Sequence, residues 1–265
     1  MCSVSLHRVS LDCFAVRSCA PPAFRAGRLS SSRHSSALAR QHDAPPTDTR
    51  VEAEASGTNP NADQPMFSTL QDVVAPSTLK ALTKGPFRLV HMSPVQAAVL
   101  PLLPGLVQRD ESSTEEDTRT DLMVKARTGT GKTLAFLVPA VEARVNALRA
   151  HAETVAKDTM SSNKTTIERA VTRYAKENVG ALIISPTREL ATQIANEAIK
   201  LTQHHSGFEV RLFVGGLSKR SQTREWNVGR RDIVVATPGR LRDFMENERG
   251  FTDALKTTEM VRFTF

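Results

Sequence analysis

Residues 126–133 of the chain are Ala126, Arg127, Thr128, Gly129, Thr130, Gly131, Lys132 and Thr133. An apolar run, Leu122 to Lys125, precedes them, and apolar residues at helical spacing follow. This order predicts a strand, a glycine-bearing loop and a helix, in which backbone amides and the positive end of the helix converge on an anion. Gly129 and Gly131 let the backbone curl, Lys132 is expected to reach the β and γ phosphates, and Thr133 to place its hydroxyl on Mg²⁺. Because Ala126 stands where the general pattern has its first glycine, a chance match in a surface loop is the alternative.

Short apolar runs alternate with helical patterns along the rest of the chain, which is typical of an α/β domain with a parallel sheet. The helix that follows Thr133 is predicted to bury one apolar face against that sheet. Two polar stretches interrupt the alternation: an acidic loop at residues 108–121, and a surface insertion at residues 151–179 with a short helix around Ile167 to Ala175. The predicted strands are Leu122 to Lys125, Ala181 to Ser185, Val210 to Val214, Ile233 to Ala236 and Met260 to Phe265.

Length and composition indicate a globular protein. The 265 residues are 40% hydrophobic and 24% charged, which is enough for one or two packed domains. The longest apolar stretch, Ala97 to Val107, contains two prolines and is far shorter than the ~20 residues of a membrane-spanning helix, which argues against a membrane protein. All three cysteines lie in the first nineteen residues, so no disulfide framework or zinc cluster can hold the rest of the chain together.

Most of the net charge lies at the N-terminus. Residues 1–40 contain six arginines and one acidic residue, a net charge of +5, which leaves +2 of the total +7 for residues 41–265. This serine-rich, acid-poor composition is typical of a mitochondrial transit peptide and implies a location in the matrix, whereas the alternative is a basic disordered tail without a targeting role. Residues 41–65, with four prolines, are predicted to be a disordered linker, and folded structure is expected from Met66.

The string A-R-T-G-T-G-K-T resembles motif I of the DEAD-box RNA helicases, whose loop begins with alanine. Three more of the family's motifs follow in the family's order, each where a predicted strand ends. The string that resembles motif Ia begins with Pro186, Thr187 and Arg188 and runs to Ala191; the glycine doublet corresponds to Gly215 and Gly216; motif Ib corresponds to Thr237, Pro238, Gly239 and Arg240. The resemblance runs from about Met66 to the last residue. It implies an N-terminal RecA-like domain, a P-loop fold with a parallel sheet flanked by helices, which uses ATP and Mg²⁺ and binds RNA.

The residues of the last three motifs also suit a nucleic-acid backbone on chemical grounds. Thr187, Arg188, Thr237 and Arg240 offer hydroxyl and guanidinium donors, and the glycine doublet lets a sugar-phosphate chain approach the main chain closely. Contacts of this kind hold RNA without reading its sequence. Taken singly, the same strings are also ordinary turn sequences. A further basic group either extends the RNA path or forms a solvated helix face: Lys219, Arg220, Arg224, Arg230 and Arg231.

Upstream, Met92 to Gln96 resembles the end of the family's Q motif. A glutamine amide can pair with N6 and N7 of adenine, which would make the pocket select ATP. Phe67 is the candidate ring to stack on that adenine. Phe87 is a second candidate, because the stretch from Gly85 to Gln96 is longer than in the family. The alternative is that both rings belong to the hydrophobic core.

ATP hydrolysis also needs a carboxylate that holds Mg²⁺ and a group that positions the attacking water. The sequence contains neither a D-E-A-D nor a Ser-Ala-Thr motif, both of which the family carries after motif Ib. We therefore expect a truncated fragment of a longer helicase, incomplete at its C-terminus, with an apolar sheet edge left open and no ATP hydrolysis by itself. Two other functions stay open: a non-catalytic ATP- and RNA-binding module, and a P-loop ATPase that acts on DNA.

Overall fold

A computed structural model describes residues 3–6, 64–107, 122–160, 163–258 and 260–263. Most of the predicted transit peptide and linker, and the acidic loop at residues 108–121, therefore lie outside the described residues. The strands are β1 (Ser3–Leu6), β2 (Leu122–Lys125), β3 (Ala181–Ile184), β4 (Val210–Phe213), β5 (Ile233–Ala236) and β6 (Met260–Phe263). The helices are α1 (Pro76–Thr83), α2 (Pro94–Val99), α3 (Leu103–Val107), α4 (Lys132–Asp158), α5 (Lys164–Glu177), α6 (Arg188–Thr202), α7 (Lys219–Val228), α8 (Pro238–Asn247) and α9 (Phe251–Lys256). In these ranges no helix is long and apolar enough to cross a membrane.

Four strands form a parallel sheet in the order β4, β5, β3, β6. Leu182 of β3 lies opposite Val234 of β5 on one side and Val261 of β6 on the other. Helices flank this sheet, which confirms the predicted α/β class. The predicted strands were one residue too long at Ser185 and Val214, although the Ser185 amide still donates to the Ala236 carbonyl at 2.9 Å.

The strand that leads into the phosphate-loop sequence is not part of this sheet. β2 pairs antiparallel with β1, so that Leu6 lies opposite Leu122, and within the described residues it pairs with no other strand. The prediction of one parallel sheet with all five strands is therefore corrected for β2. The physical reason is that Leu122 and Val124 pack on a small cluster formed by Val95, Val99 and Ala135. An edge of β2, expected to stay open, is paired with residues 3–6, which lie within the predicted transit peptide.

The two central strands of the sheet, β3 and β5, are apolar at every position because both faces are covered, as expected for buried parallel strands. Ile183 and Val235 face a core shared with α1, α4 and α6. Leu182 and Val234 face the opposite way, into a cluster with α7, α8 and α9. Phe213 is the centre of this second cluster, and its ring contacts three aromatic rings at centroid distances of 4.7–5.8 Å: Trp226, Phe244 and Phe251.

Residues 151–179 form longer helices than the sequence predicted. α4 continues to Asp158, and α5 covers Lys164–Glu177, whereas the prediction was a surface insertion with a short helix around Ile167 to Ala175. The two helices pack on each other, with His151 stacked on Tyr174 at 4.3 Å between ring centroids. Asn163 begins α5 by accepting a hydrogen bond from the Thr165 amide. Tertiary packing of a polar, amphipathic stretch thus extends helices that its polarity alone did not indicate.

A buried carboxylate joins four segments at the amino end of the sheet. Asp232, which is fully buried before β5, accepts hydrogen bonds from Arg144 of α4 at 2.9 Å, from the guanidinium of Arg230 at 2.8 and 2.9 Å, and from the Glu209 amide before β4 at 3.0 Å. Arg144 is also fully buried and donates to the Asn178 carbonyl after α5 at 3.0 Å. Both charges are therefore paired, which is the condition under which a buried ion pair is tolerated.

A second buried acid lies between α1, α4 and the end of α6. Glu142 accepts hydrogen bonds from the Ala75 amide at 2.9 Å and the Thr78 hydroxyl at 2.5 Å. The Thr78 oxygen also lies 2.9 Å from Nε2 of His205. Burial raises the pKa of Glu142, although the hydrogen bonds from Thr78 and Ala75 oppose part of that effect.

Candidate functional site

The phosphate-loop sequence forms the expected turn between β2 and α4. Gly129 and Gly131 both have φ of +78°, in the left-handed region that favours glycine. Gly131 is the residue that starts α4, and its carbonyl accepts from the Ala135 amide. The free amides of the first helical turn are thus directed at the loop, which is the arrangement that binds phosphate groups.

Lys132 lies with its ammonium group inside this loop. Its Nζ donates to the carbonyl oxygens of Ala126 at 2.6 Å and Arg127 at 2.5 Å. The Thr130 hydroxyl donates to the same Arg127 carbonyl at 2.8 Å. The ammonium therefore has to leave these carbonyls to contact a phosphate, and the cost of that exchange is offset by the stronger charge-assisted hydrogen bonds that it gains.

The Gln96 side chain connects the start of α2 to the phosphate loop. Its oxygen accepts from the Ser93 amide at 2.8 Å, which completes a capping box, and its Nε2 donates to the Gly131 carbonyl at 3.1 Å. A Cβ on Gly131 would lie 2.5 Å from that Nε2, so only glycine fits here. Gln96 is only 4% exposed. To pair with adenine, as the sequence predicts, the Gln96 side chain must therefore break its hydrogen bonds with the Ser93 amide and the Gly131 carbonyl and form new ones with the base.

Thr133 is the residue that the sequence nominates for Mg²⁺. In the structure it lies beside Glu197, a half-buried carboxylate of α6 that the sequence analysis missed. Burial raises the pKa of Glu197, and the charge of Lys200 and the neighbouring Thr133 hydroxyl oppose part of the effect. The described residues contain no cluster of three or more His, Cys, Asp or Glu side chains suited to a metal. A single hydroxyl fits Mg²⁺ nevertheless, because this ion usually takes one or two protein groups and completes its shell with phosphates and water.

The two candidate adenine-stacking rings lie in or against the core. Phe67 is fully buried, and its amide donates to the Val90 carbonyl at 3.0 Å. Phe87 is half-buried and packs against the same core cluster. Phe67 therefore has no exposed face in this conformation, and stacking of either ring on adenine stays a prediction.

The other three motifs meet at one edge of the sheet. Ala236 lies opposite both Ile184 and Phe213, so β3, β4 and β5 end at the same level and their following residues adjoin. The first residues after the strands continue the pairing, with the Thr237 amide donating to the Phe213 carbonyl at 3.0 Å. This strand-end surface contains Pro186, Thr187, Arg188, Gly215, Gly216, Thr237, Pro238, Gly239 and Arg240. We refer to it as the strand-end edge.

Two arginines flank the glycine doublet at this edge. The guanidinium of Arg188 lies so close to Gly216 that a Cβ there would be 2.6 Å from its Nη1, and Gly216 has φ of +85°. Arg240 donates to the Leu217 carbonyl at 3.2 Å from the other side. A turn of backbone between two guanidinium groups is a suitable contact for phosphate oxygens.

Helix starts place the remaining donors at the edge. Thr187 begins α6 and its hydroxyl accepts from the Leu190 amide at 3.2 Å. Thr237 begins α8, where Pro238 occupies the first helical position, as is common for proline. The motif sequences are therefore helix-start sequences, and this is why they lie at the ends of the strands.

Two residues that sequence reasoning missed hold Arg240 in place. Gln222 is 3% exposed, accepts from Arg240 Nη1 at 3.1 Å and donates to the Val214 carbonyl at 3.0 Å. Asp243 lies 3.8 Å from Arg240 Nε and 2.7 Å from Lys219 Nζ. The hydrogen bond from Lys219 lowers the pKa of Asp243. The spacing of Arg240 and Asp243 by three positions on a helix was a signal for their pairing; nothing local indicated Gln222.

Of the five basic side chains on and after α7, some form contacts within the fold and others are exposed to solvent. Arg230 pairs with Asp232, and Arg231 lies 3.8 Å from the Trp226 ring centroid, where burial lowers its pKa to about 10. These two side chains serve the core. Of the remaining members, Lys219 is paired with Asp243, while Arg220 and Arg224 are on the outer surface of α7.

The two acids near the end of α8 are engaged elsewhere. Glu246 pairs with Arg242 at 3.3 Å, and Glu248 accepts from the Thr223 hydroxyl at 3.0 Å. Neither is bonded to the phosphate loop. Among the described residues, Glu197 is the carboxylate that contacts Thr133.

Comparisons with known proteins agree on one family. A family model described as DEAD/DEAH box helicase matches residues 93–261. The DEAD-box ATP-dependent RNA helicase 26 of Oryza sativa subsp. japonica is 33% identical over 71% of this chain and 27% of its own length, and the putative DEAD-box ATP-dependent RNA helicase 33 of Arabidopsis thaliana is 35% identical over 72% and 18%. A solved structure of the DEAD-box helicase Mss116 bound to ssRNA and UDP-BeF is 24% identical, with a TM-score of 0.48 over 76% of this chain and 41% of that one. The chain thus spans about a quarter or less of the curated relatives.

Proposed function

The chain belongs to the DEAD/DEAH box helicase family, and from this premise we propose that it is the ATP- and RNA-binding RecA-like portion of an ATP-dependent RNA helicase. The observation that carries the proposal is the phosphate loop at the start of α4, with Gly129 and Gly131 in left-handed conformations and Lys132 inside the loop. The strand-end edge with its two arginines supports RNA as the second ligand.

The residues have distinct roles in this proposal. The loop amides and Lys132 hold the phosphates of ATP, Thr133 holds Mg²⁺, and Gln96 selects adenine. Mg²⁺, when bound, neutralises charge that develops between the β and γ phosphates. Arg188 and Arg240 bind RNA phosphates, Thr187 and Thr237 fix the backbone around them, and Gly215 and Gly216 permit the close approach. Because these contacts read no base edge, binding is independent of RNA sequence.

We further propose that the chain as printed binds ATP without turning it over. Its sequence lacks a D-E-A-D motif, and the two acids near the end of α8, Glu246 and Glu248, are engaged by Arg242 and Thr223. In this form it acts as a non-catalytic binding module, and the duplex-unwinding activity belongs to a longer helicase. RNA-stimulated release of phosphate from ATP by the purified chain would refute this point.

The nucleotide assignment is tested by calorimetric titration with Mg²⁺-ATP. Lys132→Ala is expected to abolish binding, because the loop then lacks its phosphate-neutralising cation. Lys157→Ala is the matched control: it removes the same charge from the exposed last turn of the same helix and should bind as the unaltered chain does. Full affinity in the Lys132 variant would remove the loop from the nucleotide site.

Competition between single-stranded RNA and DNA of equal length tests the choice of nucleic acid. Preference for DNA would favour a P-loop ATPase that acts on DNA instead.

For localisation, we propose import into the mitochondrial matrix directed by residues 1–40, from their arginine-rich and acid-poor composition. A fluorescent fusion to these residues that stays in the cytosol would contradict that proposal.

A further inference from the structure

A second basic surface lies away from the strand-end edge. Residues 73–96 contain Lys80, Lys84 and Arg88 and no acidic residue, and residues 198–208 contain Lys200 and no acidic residue. These four cations exceed the whole net charge of +2 that residues 41–265 carry. The two segments therefore carry a local net charge of +4 while the rest of residues 41–265 carries −2, and a local excess of positive charge is the electrostatic signature of a surface that binds a polyanion.

The fold brings the two segments together around one depression. α1 and the loop after it contribute Lys80, Lys84 and Arg88, and the end of α6 contributes Gln203 and His204. The depression has a volume of about 540 Å³ and no acidic side chain in its lining. The three cations are exposed, and within the described residues none of them is in an ion pair. We call this the basic depression.

Its floor is fixed by hydrogen bonds across the two segments. The Gly85 carbonyl accepts from Gln203 Nε2 at 3.0 Å and lies 3.0 Å from His204 Nε2. Arg88 follows in the same loop with φ of +52°, in the left-handed region that non-glycine residues rarely adopt.

An open depression on α5 shows a different charge pattern. On α5, Arg169, Arg173 and Lys176 line a depression together with Glu168 and Glu177. Arg173 and Glu177 are 2.9 Å apart. Its cations are therefore matched by carboxylates, as on an ordinary solvated helix, whereas those of the basic depression are not.

We propose that the basic depression is a second contact for the phosphate backbone of RNA, reached by strands long enough to extend past the strand-end edge. The proposal rests on the proposed function. α6 connects the two surfaces, since Arg188 begins it at the edge and Gln203 follows its end. At 1.5 Å per residue the two residues are about 22 Å apart along the helix, so a strand must extend over several nucleotides to contact both surfaces.

Chemistry favours a phosphate chain over a base or an apolar partner. Lysine is a flexible point charge that suits phosphate oxygens in any orientation. Within the described lining no aromatic ring is present on which a base could stack. Positively charged grooves that follow the backbone are the usual means of sequence-independent binding to single strands.

The test compares two charge-matched triple variants of the full chain. Lys80→Gln, Lys84→Gln and Arg88→Gln neutralise the depression; Arg169→Gln, Arg173→Gln and Lys176→Gln remove the same charge from α5. All six side chains are exposed, so both variants should fold, which circular dichroism melting checks. Dissociation constants are measured by fluorescence anisotropy over a range of salt, with oligouridine of about 6 and about 20 nucleotides, lengths within and beyond a typical single-strand site.

We expect the depression variant to bind the longer RNA about 10- to 100-fold more weakly, with a salt slope lower by about 2, since each lost phosphate contact on a single strand contributes ~0.7. Its binding of the shorter RNA, and both affinities of the α5 variant, should be unchanged. Equal losses in the two triple variants, or an unchanged slope with the longer RNA, would overturn the inference while leaving the proposed function intact.

Two further outcomes separate this inference from the proposed function. If the unaltered chain binds neither RNA, the proposed function fails and the inference fails with it. If polyglutamate binds and only the depression variant loses it, while binding of the longer RNA is unchanged, the depression is a site for an acidic protein segment and the RNA inference is wrong.

Discussion

Replacing Gly216 with alanine should weaken RNA binding without affecting nucleotide binding. The added Cβ would lie 2.6 Å from Nη1 of Arg188, closer than side chains approach, so the guanidinium must move. The residue also has φ of +85°, which alanine adopts at a cost of about 1 kcal/mol. The substitution therefore displaces one of the two arginines that flank the glycine doublet.

The size of the effect follows from the contact that is lost. A hydrogen bond to a charged group contributes about 1.5–3 kcal/mol, and 1.4 kcal/mol is a factor of ten in affinity. We therefore expect an RNA dissociation constant about 10- to 100-fold higher at fixed salt. The free energy of unfolding should fall by about 1 kcal/mol from the backbone strain alone.

Gly239→Ala is the matched control at the same edge. Gly239 has no positive φ, and a Cβ there would meet nothing within 4 Å. Fluorescence anisotropy with a labelled single-stranded RNA measures both variants, and calorimetry measures their affinity for Mg²⁺-ATP. The reasoning is refuted if Gly216→Ala binds RNA as tightly as the unaltered chain, or if Gly239→Ala loses as much.

Two further substitutions test the core. Gly180→Ala should lower the free energy of unfolding by about 1–3 kcal/mol in urea, because its Cβ would lie 2.4 Å from Arg144 Cδ and 2.5 Å from the Asp232 carbonyl. Gly105→Ala lies in α3 with open space around it and should not destabilise the chain, since alanine favours a helix over glycine; equal losses would contradict the prediction. Since burial raises the pKa of Glu142, the folded chain retains a proton that the unfolded chain releases, and stability should fall as pH rises from about 4.3 through the raised pKa. Glu142→Gln should remove this fall in urea titrations between pH 4 and 8, and a fall that persists would show that another group causes it.

The features predictable from sequence were those with a local cause. The phosphate loop follows from glycines, a lysine and a threonine in consecutive positions, and the turn it forms has Gly129 and Gly131 at positive φ. β3 and β5 were identified because strands covered on both faces are apolar throughout. Helix-start residues such as Thr187 marked the strand ends for the same local reason.

Features that depend on distant contacts were not predictable in this way. No local sequence pattern links Gln222 to Val214 or to Arg240, and only the fold brings the three residues together. Glu197 contacts Thr133 across 64 positions. β2 has the composition of any sheet strand, yet its partner is β1, because strand pairing depends on tertiary packing rather than on propensity.

The carboxylate of Asp232 bears on how inherited or engineered variants are interpreted. This side chain contacts neither the phosphate loop nor the strand-end edge, yet it secures α4 and the starts of β4 and β5, and through Arg144 the end of α5. Breaking a buried ion pair costs about 3–5 kcal/mol, and a loss of about 1–2 kcal/mol already changes protein abundance several-fold, so a substitution there should reduce how many molecules survive cellular quality control. A growth defect caused by Asp232→Asn therefore indicates a lower amount of folded protein in the cell, and a higher expression level should relieve it.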